Sequence, residues 1–524
     1  MIQNPDIPVS VESRPLVETV PVSLPAASLS DNTADLDRLA RELGRMGFAP
    51  TRIAPGRMDE AVRKMRREGP SFRAVLGYAG THWEILDLVS SSPEAGAVFG
   101  FALDLGSTTL VLRLIDIGRG KILNQATVAN PQVKWGEDIL SRIVFARNRE
   151  SLSVLRSALM DACSKAMKKM LEDCAVPASS LHAVSCAGNT AMSHFFWGLD
   201  PSNICREPYI PAANSFPTVY ASELGFDFLP AALLYLFPNV GSYVGGDIMA
   251  GIVAAGLNRS AQPQMLIDVG TNAEVVLGNN EWLLACAGAA GPALEGGVVE
   301  RGMQAAPGAI DRVRINRQTL EPDLRILGGL KAAGICGSGL IELVAEMFSS
   351  KILTIQGKFS TEVDCPRFRQ TTDGKAYALA LSSQSVDGGE ILVSEIDIGV
   401  FLKSKAAMYT ILSIICRKVG LDFADLEDIY IAGNFGNHID PEMAVRIGMI
   451  PDLPLDKYHG IGNSSLSGAS MLLCDRGLLS EIEMIRNRIT YVELNVNVEL
   501  MNEFRGALFI PHTDPGLFPS VRLP

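Results

Sequence analysis

Two short segments of this chain repeat one pattern: FALDLGSTTLVLRL around Asp104 and MLIDVGTNAEVVLG around Asp268. Each reads as an apolar strand, an Asp, a glycine turn carrying hydroxyl or amide residues, and a second apolar strand. Asp104, Gly106, Ser107 and Thr108 fall on Asp268, Gly270, Thr271 and Asn272. A hairpin of this kind brings backbone N–H groups and small hydroxyls onto a phosphate and leaves a carboxylate nearby for a metal ion. One copy alone is ordinary hairpin chemistry, with the Asp capping a turn. Two copies with matching polar residues predict a duplicated core that holds a nucleotide triphosphate from both sides.

At 524 residues the chain exceeds one compact core, so several domains are expected. The formal net charge of −12 argues against nucleic acid or an anionic membrane surface as the principal partner. The start, MIQNPDIPVSVES, has neither a basic nor an apolar leader region. No apolar run is read as approaching the ~20 residues that span a bilayer. The nine cysteines are scattered, without a CxxC pair or an iron–sulfur spacing. Their odd number points to reduced thiols and a cytoplasmic location.

Residues 1–25 alternate apolar and polar with repeated prolines and read as an extended arm, linker or edge strand. A small α/β domain is expected over residues 26–98. Its first helix would start from an N-cap at Asp31 or Asn32, bury Leu36, Leu39 and Leu43, and stop at Gly47. A second helix, MDEAVRKMRREG, ends at Gly69. The large domain is expected over residues 99–524. It contains long helical stripes over 152–171 and 400–419.

The order of the turns in that domain carries information. Hairpin one at Asp104 is followed by a glycine–hydroxyl turn at Gly188, Asn189 and Thr190. Hairpin two at Asp268 is followed by a second such turn at Gly337, Ser338 and Gly339, and then by an apolar strand ending in Gly433, Asn434, Phe435 and Gly436. This order resembles the acetate kinase, sugar kinase, Hsp70 and actin superfamily. The resemblance implies an α/β, duplicated actin-like (ribonuclease H-like) ATPase fold, with two subdomains around a nucleotide cleft, preceded here by the small domain. It implies that the two middle turns mark the connecting helices, and that Gly433 to Gly436 meet the adenosine, where glycine lets backbone approach base and ribose.

Charge assigns the remaining roles. Asp104 and Asp268 are the candidate outer-shell carboxylates for Mg²⁺ on ATP, and Ser107, Thr108, Thr109, Thr271 and Asn272 are candidate phosphate donors. Asp247, in YVGGDIMAG, stands where related sugar kinases place a base; it is equally suited to capping the helix that follows. The loop around Glu295, CAGAAGPALEGGVVERGMQAAPGAI, reads either as a ligand approach or as a tight packing corner. The six histidines show no metal-ligand spacing.

Longer strings narrow the family. DLGSTT, NPQVKWGEDILSRI, CAGNTAM, DVGTNAEVVLG, AGPALEGG, PGAI, CGSGL, AGNFG, IGMIPDLPLD and GNSSLSGA occur in this order. Together they resemble the ATP-dependent reductive activators of corrinoid proteins. VSLPAASLSDNTADLDRLARELG looks like the start of that family's middle domain. The resemblance implies binding of a corrinoid methyl-transfer protein and ATP-coupled reduction of inactive Co(II) to Co(I), by a homodimer. Family members carry an iron–sulfur cluster, whereas here no cysteine precedes Cys163 and none follows Cys474. No iron–sulfur cluster is therefore expected on this chain, and electrons would come from a separate or missing ferredoxin-type donor. The alternative is a small-molecule kinase of the same fold using Asp247; a nucleotide-switched assembly protein is a third reading.

Overall fold

The computed structural model describes residues 7, 14–25, 28–92, 96–270, 272–288, 299–329, 331–372, 374–436, 438–494 and 498–523. The chain forms two compact units, Met1–Ala254 with Ser464–Asn487, and Ala255–Asn463 with Arg488–Pro524.

The first unit begins with a sheet of β1 (Val17–Ser23), β2 (Thr51–Arg52), β3 (Ser71–Tyr78) and β4 (Trp83–Val89), in the order β1-β3-β4-β2. Helices α1 (Asp35–Arg45) and α2 (Met58–Glu68) pack with it. Leu39 and Leu43 are buried in this small core, as helical spacing requires, and Leu36 packs at its margin. Gly47 and Gly69 lie beyond the two helix ends at φ +93 and +81, a backbone that glycine adopts without cost. One expectation changes. The first helix starts at Asp35 after Ala34, with no side-chain cap. Asp31 is engaged instead with the Thr33 hydroxyl at 2.6 Å and with Arg41 at 3.0 Å. The segment read as an extended arm or edge strand contains β1, which pairs antiparallel with β3 from Val17↔Gly77 to Ser23↔Ser71. As an edge strand it accommodates Pro21.

A six-stranded sheet follows, built from β5 (Phe99–Leu105), β6 (Thr109–Asp116), β7 (Lys121–Ala129), β8 (Leu181–Gly188), β9 (Val219–Tyr220) and β10 (Leu233–Leu236). Its order is β7-β6-β5-β8-β10-β9. The second unit has β11 (Gln264–Val269), β12 (Ala273–Gly278) and β13 (Leu283–Gly288). Two three-stranded sheets come next: β14 (Ala309–Ile315), β15 (Pro322–Ile326) and β16 (Gly334–Ile335), then β17 (Phe368–Thr371), β18 (Gly374–Ala380) and β19 (Ile391–Ser394). Strands β20 (Ile429–Ala432), β21 (Tyr458–Gly462) and β22 (Ile489–Tyr491) complete the main sheet, in the order β21-β20-β11-β12-β13-β22.

The two large sheets repeat one topology. In the first, β5-β6-β7 is an antiparallel meander, β8 joins β5 in parallel, and β10 joins β8 in parallel. In the second, β11-β12-β13 is the meander, β20 joins β11 in parallel, and β21 joins β20 in parallel. The duplication expected from the paired hairpins is therefore a duplication of five strands of each sheet, while the sixth differs: β9 lies antiparallel on β10 in the first, and β22 parallel on β13 in the second.

The chain leaves the first unit along α3 (Gly246–Ala255). Within the second unit the helix α4 (Glu395–Lys418) runs through the core, and the chain returns to the first unit at α5 (Ser464–Cys474). Gly468 lets α5 touch α3 backbone to backbone, since a Cβ there would lie 2.1 Å from the Ala250 carbonyl oxygen. Helices α3 and α5 therefore stand at two of the three crossings between the units, and the third falls at the end of the helix Leu478–Arg488. The turns at Gly188 and Gly337, expected to mark the connecting helices, start other helices (Thr190–Trp197 and Gly337–Ser349).

Among the described residues α4 is the one helix long and apolar enough to cross a membrane, although Lys403 and Lys405 interrupt its apolar run. Most of it is buried in the second core, with Phe401, Met408, Leu412 and Ile415 inside. It carries a fully buried lysine, Lys405. Its Nζ donates to the carbonyls of Ala507, Phe509 and Pro511 at 2.6, 2.7 and 2.6 Å. Burial pulls its pKa well below the ordinary lysine value. Three carbonyl partners need three N–H donors, which the ammonium has and the neutral amine lacks. The site is at the end of the helix Val498–Ala507, where carbonyl charge favours a cation.

Lys405→Met should strand these three carbonyls and lower the stability of the second unit by about 3–5 kcal/mol. Scanning calorimetry would read this as an early transition, and a loss below about 1 kcal/mol would show that the carbonyls find other donors. A second test uses pH. Burial pushes the His182 imidazole from 6.5 down to about 4. The unfolded chain then takes up a proton that the folded chain refuses. Stability should be intact above about pH 6.5 and fall by roughly 3 kcal/mol as pH drops toward 4, a dependence that His182→Phe should flatten in acid titration of the melting temperature.

Candidate functional site

In the first unit Asp104 is next to last in β5, opposite Val111 of β6 and Ala187 of β8. The turn that follows requires glycine at its first position, because a Cβ on Gly106 would lie 2.3 Å from the Thr109 carbonyl oxygen. Its carbonyls are satisfied from inside the protein. Asn130 donates from Nδ2 to Gly106 at 2.9 Å and from its backbone N–H to Thr108 at 2.8 Å. Arg142, fully buried, donates to Ser107 at 2.5 Å and also to Gly136 and Glu137 at 2.8 and 3.3 Å. Ser107 and Thr109 are half-buried and Thr108 is exposed. The turn is thus braced through its carbonyls while the Thr108 side chain stays accessible. Neither Asn130 nor Arg142 was singled out from sequence, although both lie in the string NPQVKWGEDILSRI.

Beside this turn, β8 ends at Gly188, where a Cβ would lie 2.8 Å from the Leu105 Cβ and 2.9 Å from its carbonyl oxygen. Asn189 caps the next helix by accepting from the Met192 N–H at 2.9 Å. Thr190 is buried and donates to the Gly241 carbonyl at 2.5 Å. The hydroxyl expected to face a ligand is therefore spent inside the fold. A Cβ on Gly245 would fall 2.5 Å from the Asn189 Cα, so the turn into α3 packs directly on this backbone. Asp247 is in the first turn of α3, half-buried, with its Oδ1 accepting from the Ile248 N–H at 2.8 Å. Helix α5 then supplies Ser465, which donates to Asp104 Oδ1 at 2.9 Å. The structure gathers Asp104, residues 106–109, Gly188, the Asp247 turn and Ser465 at one end of the β5–β8 pair. Ser465 was visible only as part of GNSSLSGA.

The second unit repeats the key contact. Asp268 stands opposite Glu274 of β12 and Ala432 of β20. Gly433 follows at φ +82, and a Cβ there would lie 2.9 Å from the Val269 carbonyl oxygen and 3.2 Å from Asp268 Oδ1. Leu105 and Val269 each follow the hairpin aspartate, so Gly188 and Gly433 occupy the same place in the two copies. Ala187-Gly188-Asn189 is the counterpart of Ala432-Gly433-Asn434. Sequence had matched the Gly188 turn to Gly337 instead. Gly436 presses on the Ile431 carbonyl, where a Cβ would lie at 2.2 Å. Gly270 donates its N–H to the Asn272 carbonyl at 2.9 Å, and the Asn272 side chain is exposed. Thr271, Glu295 and the side chains of Asn434 and Phe435 lie outside the described residues.

The Gly337 turn has another purpose. Ser338 is buried, with its hydroxyl 3.5 Å from the Asp311 carbonyl and 3.3 Å from the Cys336 sulfur. Gly339 leaves no room for a Cβ against the Ile310 carbonyl at 2.3 Å. Gly337, Ser338 and Gly339 seat a helix on β14, with the Ser338 hydroxyl turned inward.

Among the described residues no three His, Cys, Asp or Glu side chains converge as a metal cage. One carboxylate beside each phosphate-type turn instead fits a Mg²⁺ held through phosphates and waters. Arg142→Ala should leave three carbonyls without their donor and weaken ATP binding at least about tenfold, measured by calorimetry. Arg142→Lys should restore only part of it, lacking the planar fork. An unchanged affinity would show that the hairpin does not depend on this brace.

Comparison with known proteins agrees with this fold. Residues 262–522 match the family model described as the C-terminal domain of RACo, the ASKHA domain, and residues 99–260 match the RACo middle region. The latter begins with β5. Residues 26–98, where sequence saw the start of the family's middle domain, lie outside both matches. The corrinoid activation enzyme RamQ of Eubacterium limosum is 28% identical over 428 residues, covering 80% of this chain and 72% of RamQ. The [Co(II) methylated amine-specific corrinoid protein] reductase of Methanosarcina barkeri is 23% identical over 426 residues, covering 75% of this chain and 73% of the reductase. The solved structure of a reductive activator for a corrinoid, iron–sulfur protein superposes with TM-score 0.88 at 36% identity, over 97% of this chain and 81% of that one. Its duplicated actin-like fold and this extent of identity place the chain in the family of reductive activators of corrinoid proteins.

Proposed function

We propose that this chain hydrolyses ATP and couples the hydrolysis to reduction of Co(II) to Co(I) on a corrinoid methyl-transfer protein. One observation carries the nucleotide half: the Asp–Gly hairpin and its Ala-Gly-Asn partner turn recur on equivalent strands of both units. Each copy offers a half-buried carboxylate and a glycine floor without side-chain bulk, and the exposed Thr108 and Asn272 stand in the two turns. Mg²⁺, when bound, supplies charge neutralisation on the phosphates. Asp104 and Asp268, each in its own unit, are the carboxylates that would hold its waters, and Thr108 and Asn272 would offer donors to phosphate oxygens. Water forms a bond to the γ-phosphorus as the Pγ–O bond to ADP breaks, and the water's proton passes to the released phosphate or to solvent.

The corrinoid half is supported by the relatives, whose names describe corrinoid activation and corrinoid-protein reduction. One electron passes from a separate ferredoxin-type donor to Co(II). A nucleotide-linked coupling of roughly 1–3 kcal/mol would shift a one-electron potential by about 40–130 mV, enough to matter for an uphill transfer.

The test is ATP turnover with and without a Co(II) corrinoid methyl-transfer protein, with Co(I) followed by absorbance in the presence of a low-potential ferredoxin. Stimulated turnover and Co(I) formation are expected. Asp268→Asn should lower turnover on the order of 100-fold. No stimulation across a panel of such partners would sink the activator reading. A phosphorylated small molecule in place of free phosphate would move the chain to the kinase reading with Asp247 as base.

A further inference from the structure

We propose that Ser465 is the positioning residue for Asp104, setting the orientation of the carboxylate that meets the metal's waters. The inference rests on the nucleotide reading above and adds a residue to it from a distant part of the chain, 361 positions away. The Ser465 hydroxyl donates to Asp104 Oδ1 at 2.9 Å. A carboxylate on a strand end can rotate about its last bond, and a hydrogen bond to a charged acceptor is among the stronger restraints available. Ser465 is itself only 5% exposed, so little water competes for that bond. It lies in the first turn of an eleven-residue helix, where the helix dipole adds partial positive charge on the side of the carboxylate.

A positioning group must itself be held, and α5 is held along its length. Near its middle, Gly468 abuts the Ala250 carbonyl of α3. At its far end, the Leu473 carbonyl accepts from the Leu16 N–H at 3.0 Å. Just beyond, Arg476 donates to Glu18 at 2.5 Å and stacks 4.5 Å over the Trp83 ring. The helix that presents the hydroxyl is therefore anchored by contacts independent of any ligand, as a preorganised site requires. A second serine on the same helix, Ser470, supplies an internal contrast. It is buried and donates to the Leu466 carbonyl at 2.6 Å, a bond within the helix.

The experiment compares wild type, Ser465→Ala, Asp104→Asn and the double variant in the full chain. ATP binding and hydrolysis are measured across a Mg²⁺ titration, with EDTA as the metal-free arm. Ser465→Ala should raise the Mg²⁺ half-saturation about tenfold and leave metal-free ATP binding unchanged. In the Asp104→Asn background the same substitution should shift it by less than about twofold, since the restrained charge is gone. Ser465→Cys, a weaker donor of similar size, should fall between and serves if the alanine variant folds poorly. Ser470→Ala should lower the melting temperature with no change in Mg²⁺ dependence. The proposal is overturned if Ser465→Ala and Ser465→Cys leave the Mg²⁺ dependence alone, or if the alanine effect is equal in both backgrounds. If Asp104→Asn itself leaves the Mg²⁺ dependence unchanged, the reading of Asp104 fails, and this inference falls with it.

Discussion

One backbone contact organises each half of this protein. A glycine at the end of a parallel strand lies against the carbonyl that follows a hairpin aspartate: Gly188 against Leu105, and Gly433 against Val269, each with a Cβ position 2.9 Å from the oxygen. A real Cβ does not tolerate that approach, so any other residue would push the two strand ends apart. With glycine the strands close, and the aspartate carboxylate comes to stand beside the next turn. The phosphate-type geometry depends on this absence of a side chain as much as on the carboxylates themselves.

Around that contact the first unit adds supports from several parts of the chain. Arg142 and Asn130 take the carbonyls of residues 106–108. Gly245 lets the start of α3 pack on Asn189. Gly468 brings α5 onto α3, and α5 carries Ser465 to Asp104. These supports act through backbone groups or one hydroxyl, and each needs either a very small residue or a buried donor.

The hairpins were legible because their signal is local: alternating apolar strands flank a short turn whose glycine and polar residues are adjacent in sequence. The helices of the small domain were legible for the same reason, apart from the start of α1. There Asp31 spends its carboxylate on Thr33 and Arg41 and leaves the helix to begin after Ala34. The partner of the Gly188 turn was misread because hydroxyl chemistry guided the match to Ser338. Thr190 donates to Gly241, and Ser338 faces Asp311 and Cys336, so neither hydroxyl is directed to a ligand. Strand pairing decides the equivalence, and strand pairing is not written in the residue types of a turn.

By itself the sequence determined that two matched Asp–Gly hairpins exist, that they belong to a duplicated α/β core, and, through its long strings, which family the core resembles. Those features need only neighbouring residues and their periodicity. Only the tertiary structure decided that Gly188 and Gly433 are counterparts, that α3 and α5 stand at crossings between the units, and that Arg142, Asn130 and Ser465 serve the Asp104 hairpin. Each of these rests on backbone atoms brought within hydrogen-bond or van der Waals distance by sheet register and helix packing. Residues 361 positions apart meet there because the chain returns to its first unit, a consequence of packing that no local pattern records.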